Sequence, residues 1–123
     1  MYGRDETRQL LRKAAESVGL AVAGDEPAST PDPWLLSLPK LDRWLERYRL
    51  CGIAPEEPGS LDEEVLREVA VAYERHLQYQ GAVDYPAMLL LPLRLFEIDD
   101  RAATMLQDAY RYVLVDETQD TVR

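Results

Sequence analysis

Apolar residues recur every three or four positions through most of the chain, a pattern that predicts amphipathic helices. The first such stretch covers residues 5–18, and Gly19 follows at a position where helices commonly end. A second stretch runs through "WLLSLPKLDRWLERYRL", with Asp32 as the expected N-cap and Pro33 in the first turn. Pro39 lies inside this stretch and is expected to kink or split the helix, because proline lacks a backbone N–H.

Three further helices are predicted downstream. Ser60 and Glu63 have the spacing of a capping box, in which each side chain satisfies a free backbone N–H at the start of a long helix. That helix is expected to end at Gly81. Asp84 is the expected N-cap of the next helix, "DYPAMLLLPLRLFE", where Pro92 predicts a distortion, and "DDRAATMLQDAY" supplies a short last helix.

Only the segment "YVLV", residues 112–115, has the pattern of a β-strand. It is β-branched and aromatic, and its unbroken apolar character is typical of strands in parallel sheets that are covered on both faces. One strand cannot form a sheet. The expected fold class is therefore mainly α, with about five helices and one C-terminal strand whose neighbours lie outside this sequence.

The charge balance excludes one class of surface. The 123 residues contain 14 Lys and Arg against 23 Asp and Glu, a net charge of −9, which argues against nucleic-acid binding over the whole surface. A local basic stripe on the second helix remains a candidate contact for a DNA backbone; the alternative is a solvated face balanced by Asp42 and Glu46. The stripe consists of Lys40, Arg43, Arg47 and Arg49.

Cysteine and histidine are too few for common metal or disulfide chemistry. Cys51 is the only cysteine and His76 the only histidine, so an internal disulfide is impossible and a structural zinc site lacks ligands. We assign Trp34 and Trp44 to packing before base stacking, and His76 to a packing or surface position rather than to a catalytic or metal site. With no signal segment and no long apolar run, we expect a cytoplasmic protein without a membrane partner.

The segment "VLVDETQDT" carries the most specific chemistry. An apolar strand that delivers Asp116 and then Glu117 at its carboxyl end is typical of nucleotide-hydrolysing sites. In such sites the first carboxylate holds Mg²⁺ on the phosphates and the second reaches the attacking water. The alternative is an exposed acidic turn after a strand.

The same string resembles motif II, the Walker B box, of superfamily 1 helicases of the UvrD/Rep/PcrA type, whose usual form is hydrophobic-V-D-E-F-Q-D-T. Thr118 stands where that family commonly has an aromatic residue. Upstream, "YERHLQYQGAVDYPAMLLLPLRLFE" is similar to the family's Y-x-x-Y/H…D-F-D-D-L-L segment, with Pro86 and Ala87 in place of the acidic pair. "YGRDETRQLLRKAAESVGL" is similar to the start of the helical insertion in the first RecA-like lobe.

The resemblance implies a fragment of an ATP-dependent DNA helicase. Residues 1–110 would form a helical 1B-like subdomain, and residues 111–123 the motif II strand of an incomplete RecA-like lobe. It implies a catalytic role for Glu117, Mg²⁺ binding by Asp116, and contacts from Asp116, Gln119 and Asp120 to the nucleotide site. The implied cofactors are Mg²⁺ and ATP, and the implied partners are DNA and the rest of the motor.

The sequence contains no G-x-x-x-x-G-K-[ST] loop to hold phosphates. We therefore expect the isolated chain to bind no cofactor and to be inactive alone. Because exposed strand edges recruit partners, we also expect it to self-associate through its C-terminal strand. Two alternatives stay open. One is the motor of an AddA/RecB-type helicase-nuclease, which carries a similar motif II; the other is a stand-alone helical interaction module in which the motif has no catalytic use.

Overall fold

A computed structural model describes residues 1–23, 36–57 and 59–121. The mainly-α class with five helices is confirmed. The helices are α1 (Arg4–Ser17), α2 (Leu38–Cys51), α3 (Glu63–Tyr79), α4 (Tyr85–Ile98) and α5 (Asp100–Ala109), followed by a 3-10 turn at Thr118–Asp120. The expected helix start at Asp32 and Pro33, and the packing of Trp34, lie outside the described residues.

A short parallel strand pair joins the two sides of residues 24–35. Strand β1 (Val22–Ala23) pairs with β2 (Leu36–Ser37), Val22 opposite Leu36. The Leu36 N–H also donates to the Ala21 carbonyl at 3.1 Å. Strands of two residues are too short to produce an alternating pattern, so this pair cannot be predicted from the spacing of apolar residues.

Two expectations about helix starts are wrong, and both have a local reason: residues 36–37, expected within the second helix, are strand β2, and the Ser60–Glu63 capping box does not form. Helix α2 begins at Leu38, which puts Pro39 in the first turn, where its missing N–H leaves no hydrogen bond unmade, so the helix has no break there. Helix α3 has Asp62 as N-cap without a side-chain cap. The capping box is absent because the Ser60 hydroxyl donates instead to the Pro55 carbonyl at 3.1 Å.

The other expected helix ends are confirmed. The Asp84 carboxylate accepts the Ala87 N–H at 2.9 Å and caps α4. Gly19 and Gly81 follow α1 and α3 with positive φ angles, which glycine adopts without steric cost. Pro92 lies inside α4 without ending the helix.

The hydrophobic core is built by the first three helices. Its side chains occupy the faces that the three- and four-residue spacing predicts, and Trp44 packs among them. Among the described residues, no side chain of α4 or α5 belongs to this core, and α4 buries only Pro86 and Ala87. The buried set is Leu10, Leu11, Ala14, Ala15, Leu38, Leu41, Trp44, Leu45, Leu66, Val69, Ala70, Tyr73 and Leu77.

Helices α4 and α5 and the following segment expose most of their large apolar side chains. The strand expected at residues 112–115 is not formed: these residues have no regular secondary structure, and Leu114 is 99% exposed. Among the described residues, no strand lies beside them to accept backbone hydrogen bonds. The exposed apolar set in this region includes Met88, Leu91, Leu93, Leu95, Ile98, Met105, Leu106, Tyr112, Val113, Leu114 and Val115.

Candidate functional site

The acidic pair of the C-terminal motif lies in a tight, exposed turn after α5. The Glu117 N–H donates to Asp116 Oδ1 at 2.8 Å, and Gln119 Nε2 donates to Glu117 Oε2. Glu117 has φ 53°, a left-handed conformation that costs a non-glycine residue about 1–2 kcal/mol. The Asp120 N–H closes the turn on the Glu117 carbonyl at 2.9 Å. Both carboxylates therefore bond within their own turn.

The donor chemistry of this turn fits Mg²⁺ in kind. Carboxylate oxygens are the ligands that Mg²⁺ prefers, and the ion commonly takes only one or two of them, with waters and phosphates completing its shell. Within the described parts of the chain, no group of three or more His, Cys, Asp or Glu side chains could hold a metal ion. Asp116 and Glu117 by themselves offer too few ligands for such a site and could form only a portion of one.

The four cations of the basic stripe on α2 differ in their exposure to solvent. Lys40, Arg43 and Arg47 are exposed. Arg43 and Arg47 line a cleft of about 330 Å³ beside Trp44. The expectation that Arg49 faces outward is wrong, because its side chain is only 5% exposed and lies among helices α2, α3 and α4.

The acidic residues expected to balance the stripe also separate. Asp42 lies 3.7 Å from Arg8 of α1, an ion pair that draws it away from the stripe, whereas Glu46 stays exposed. Burial raises the pKa of Asp42 although Arg8 and Arg4 act in the opposite direction. The cleft beside Arg43 and Arg47 is also lined by Glu56 and Glu57, so the local charge is mixed.

Arg49 makes a two-point contact with the Asp84 carboxylate. Nη1 donates to Oδ2 at 2.6 Å and Nη2 to Oδ1 at 3.3 Å, and the Tyr73 hydroxyl donates to Oδ2 at 2.7 Å. Arg49 also lies over the Tyr73 ring, 5.1 Å from its centre. With the Ala87 N–H, Asp84 accepts four hydrogen bonds although only 3% of the residue is exposed. A buried carboxylate needs such compensation.

The titration of this group follows from its contacts. Burial acts to raise the pKa of Asp84, but hydrogen bonds from Arg49 and Tyr73 and the Arg49 charge outweigh it, so the pKa is lowered. Burial and the hydrogen bond to the Asp84 carboxylate raise the pKa of Tyr73 far above its usual range. Asp84 is therefore ionised, and Tyr73 remains a proton donor.

The charged contacts continue along α4. Arg49 Nε lies 3.6 Å from Glu74 Oε1, and Arg94 Nη2 donates to the same oxygen at 3.1 Å. Arg94 Nη1 lies 3.5 Å from the other Glu74 oxygen. Residues from α2, α3 and two points of α4 thus form one connected group.

The sequence matches the family model of the UvrD/REP helicase N-terminal domain over residues 9–123. The chain belongs to this family. Neither the comparison with curated proteins nor the comparison with solved structures gives a match.

For this UvrD/REP helicase domain, sequence reasoning identified the acidic motif and missed the buried charged group. Asp84 was recognised only as a helix cap, and Arg49 only as a member of a basic stripe. Tyr73 offered the one available indication, because a tyrosine in an apolar stripe brings a hydroxyl that needs a partner when it is buried. Across residues 1–23, 36–57 and 59–121, no helix of the domain is long and apolar enough to cross a bilayer.

Proposed function

We propose that this chain is part of a UvrD-type, ATP-dependent DNA helicase and contributes a DNA-side helical subdomain together with the Walker B carboxylates. The observation that carries the proposal is the family match over residues 9–123, which includes the acidic motif. In this proposal residues 1–110 are the helical subdomain and residues 111–123 belong to the first RecA-like lobe. The closed core of α1–α3 supports a self-contained helical unit within the first of these regions.

The proposed roles at the motif follow its chemistry. Asp116 would hold Mg²⁺, Glu117 would act on the attacking water, and Gln119 and Asp120 would contact the nucleotide site. Mg²⁺, when bound with ATP, would neutralise charge on the phosphates. The protein's own contribution is to hold two adjacent carboxylates at one end of the motif, a task for which the left-handed turn at Glu117 is a suitable device.

The nucleotide proposal is tested in a longer protein that contains this chain and a phosphate-binding loop. Glu117→Gln is expected to lower DNA-stimulated ATP hydrolysis by at least about 100-fold, the usual contribution of a proton-accepting group, while nucleotide binding is retained. Asp116→Asn should weaken Mg²⁺-dependent nucleotide binding. Asp108→Asn, an exposed change on α5, serves as the matched control. Undiminished hydrolysis in Glu117→Gln would contradict the role assigned to Glu117, and ATP turnover by the 123-residue chain alone would contradict its expected inactivity.

The DNA contact is proposed for the exposed cations of α2. Arg43→Glu combined with Arg47→Glu should weaken DNA binding and reduce the slope of log affinity against log salt by about 2, since each phosphate contact contributes about 0.9. Lys13→Glu combined with Arg75→Glu, at exposed positions of α1 and α3, changes the net charge by the same amount and is the control. An unchanged affinity at low salt in the double variant would show that the α2 cations form only a solvated face.

Self-association of the isolated chain is a further part of the proposal. The apolar side chains of α4, α5 and residues 112–115 form an exposed surface of the kind that marks interaction sites. The expected partner in the helicase is the rest of the motor, and a second copy takes its place at high concentration. Sedimentation velocity over a concentration series tests this; a chain that stays monomeric at all concentrations would contradict it.

A further inference from the structure

Helix α4 is attached to the three-helix core mainly by charged groups. The core contains no α4 side chain among the described residues, and only Pro86 and Ala87 of α4 are buried. Beyond Ala87, the side chains of α4 are exposed or half-buried. Apolar burial, the usual force that fixes one helix against another, therefore contributes little along most of α4.

The charged attachment has two points on α4. At the start of the helix, Asp84 binds Arg49 and Tyr73. Ten residues later, Arg94 binds Glu74, whose Oε1 also lies 3.6 Å from Arg49 Nε. Two anchors separated along one helix restrict its direction as well as its position, which a single ion pair does not do.

We infer that Arg49, Tyr73, Glu74, Asp84 and Arg94 form a polar joint that positions α4 against the α1–α3 core. Helix α5 follows α4 and contacts it, so the direction of α4 also sets the direction of α5, from which the chain continues to the Asp116–Glu117 turn. These five are positioning residues. The joint stands on the geometry alone; its consequence for a helicase, that α2 and the acidic motif share one mechanical connection, rests on the proposed function.

The side chains between α3 and α4 are loosely packed, so apolar packing alone does not fix the orientation of α4. A cleft of about 50 Å³ lies between α3 and α4, lined by Glu74, Leu77, Ala87 and Arg94 among others. Tightly interlocked side chains hold a helix in one orientation, whereas here open space adjoins the charges. Directional hydrogen bonds between charged groups then take over the task of selecting the orientation.

The test measures the angle of α4 in the full chain by electron–electron spin distances. One label is placed on Cys51, the exposed and only cysteine at the end of α2, and the other on Ile98→Cys at the exposed end of α4. Labelled protein is diluted with unlabelled protein to remove distances between copies. The unmodified joint should give one narrow distance distribution.

Asp84→Asn removes the charge but keeps a side chain that caps helices well, so the α4 start is preserved. This variant and Arg49→Met are expected to lose the narrow distance distribution while circular dichroism and tryptophan fluorescence stay unchanged. Arg49→Lys keeps the positive charge and should retain part of the narrow distance distribution. Arg67→Met removes an exposed ion pair within α3, with Glu63, and should leave the distribution as it is.

Two results would overturn the joint. One is an unchanged narrow distribution in both Asp84→Asn and Arg49→Met. The other is loss of the α1–α3 core together with α4 in both variants, because the network would then be a component of the core. The spin-label distances and the spectroscopic checks of the core use neither nucleotide nor DNA. Failure of the helicase assays with an intact spin-label result therefore refutes the proposed function and leaves the joint in place.

Discussion

Replacing Tyr73 by Phe tests how much one hydrogen bond to the buried Asp84 carboxylate contributes to stability. The ring keeps its place in the core and beneath Arg49, so only the hydroxyl that donates to Asp84 at 2.7 Å is lost. Hydrogen bonds to charged groups contribute about 1.5–3 kcal/mol. Because three other hydrogen bonds to Asp84 remain, we expect α4 to stay docked and the loss, about 2 kcal/mol, to appear in the global transition.

Urea unfolding followed by circular dichroism and by fluorescence measures the loss. The midpoint should fall while the dependence on urea stays the same, because the surface exposed on unfolding does not change. Tyr79→Phe is the matched control, since Tyr79 lies on the same helix with 93% of its surface exposed. A loss below about 0.5 kcal/mol, the range of ordinary surface substitutions, would refute the reasoning.

The stability lost in Tyr73→Phe should depend on pH, and the direction follows from the pKa of Asp84. The pKa of Asp84 is lower in the folded chain than in the unfolded chain. Its stabilisation is therefore present above about pH 4 and is lost as the pH falls through the folded-state pKa. Since Tyr73 is one cause of the lowered pKa, the difference between Tyr73→Phe and the unmodified chain should shrink below about pH 4. A difference that grows with acidity would contradict the assignment.

Three further predictions concern the core and the exposed surface. Leu41→Ala removes a fully buried side chain and should destabilise the chain by about 2–5 kcal/mol, whereas Leu93→Ala on exposed α4 should change the urea midpoint little. Leu91→Lys with Leu95→Lys should reduce self-association in sedimentation velocity without loss of helix content; unchanged association would exclude this face. Amides of residues 112–115 should exchange within the fastest class, and strong protection in a verified monomer would contradict their exposure.

Local sequence patterns predicted those features whose causes are local. Asp84 caps α4 because its carboxylate reaches an N–H three residues ahead, and Gly19 ends α1 because it tolerates a positive φ. Pro39 shows the limit of such reasoning. A proline permits two outcomes, a break or a start, and the choice depends on where the preceding residues lead the chain, which here is the β2 strand.

The spacing of apolar residues could not predict that Arg49 is buried, because its partner Asp84 lies 35 residues away in sequence. Helical spacing reports which residues share a face, and it does not report which neighbouring helix covers that face. At the candidate site, by contrast, the residues could be predicted from the sequence and their geometry could not. The acidic string was recognisable from its letters, but the left-handed backbone at Glu117 and the hydrogen bonds within the turn are consequences of the local fold.

The pairing of Val22 with Leu36 has a practical consequence for engineering. The ladder holds Ala23 beside Ser37, the N-cap of α2, so the path into α2 is set by the ladder. The free-energy cost of closing a flexible connection rises by only about 0.6 kcal/mol for each doubling of its length. Lengthening the connection between Ala23 and Leu36, for example with a peptide tag or reporter, should therefore cost the ladder little free energy.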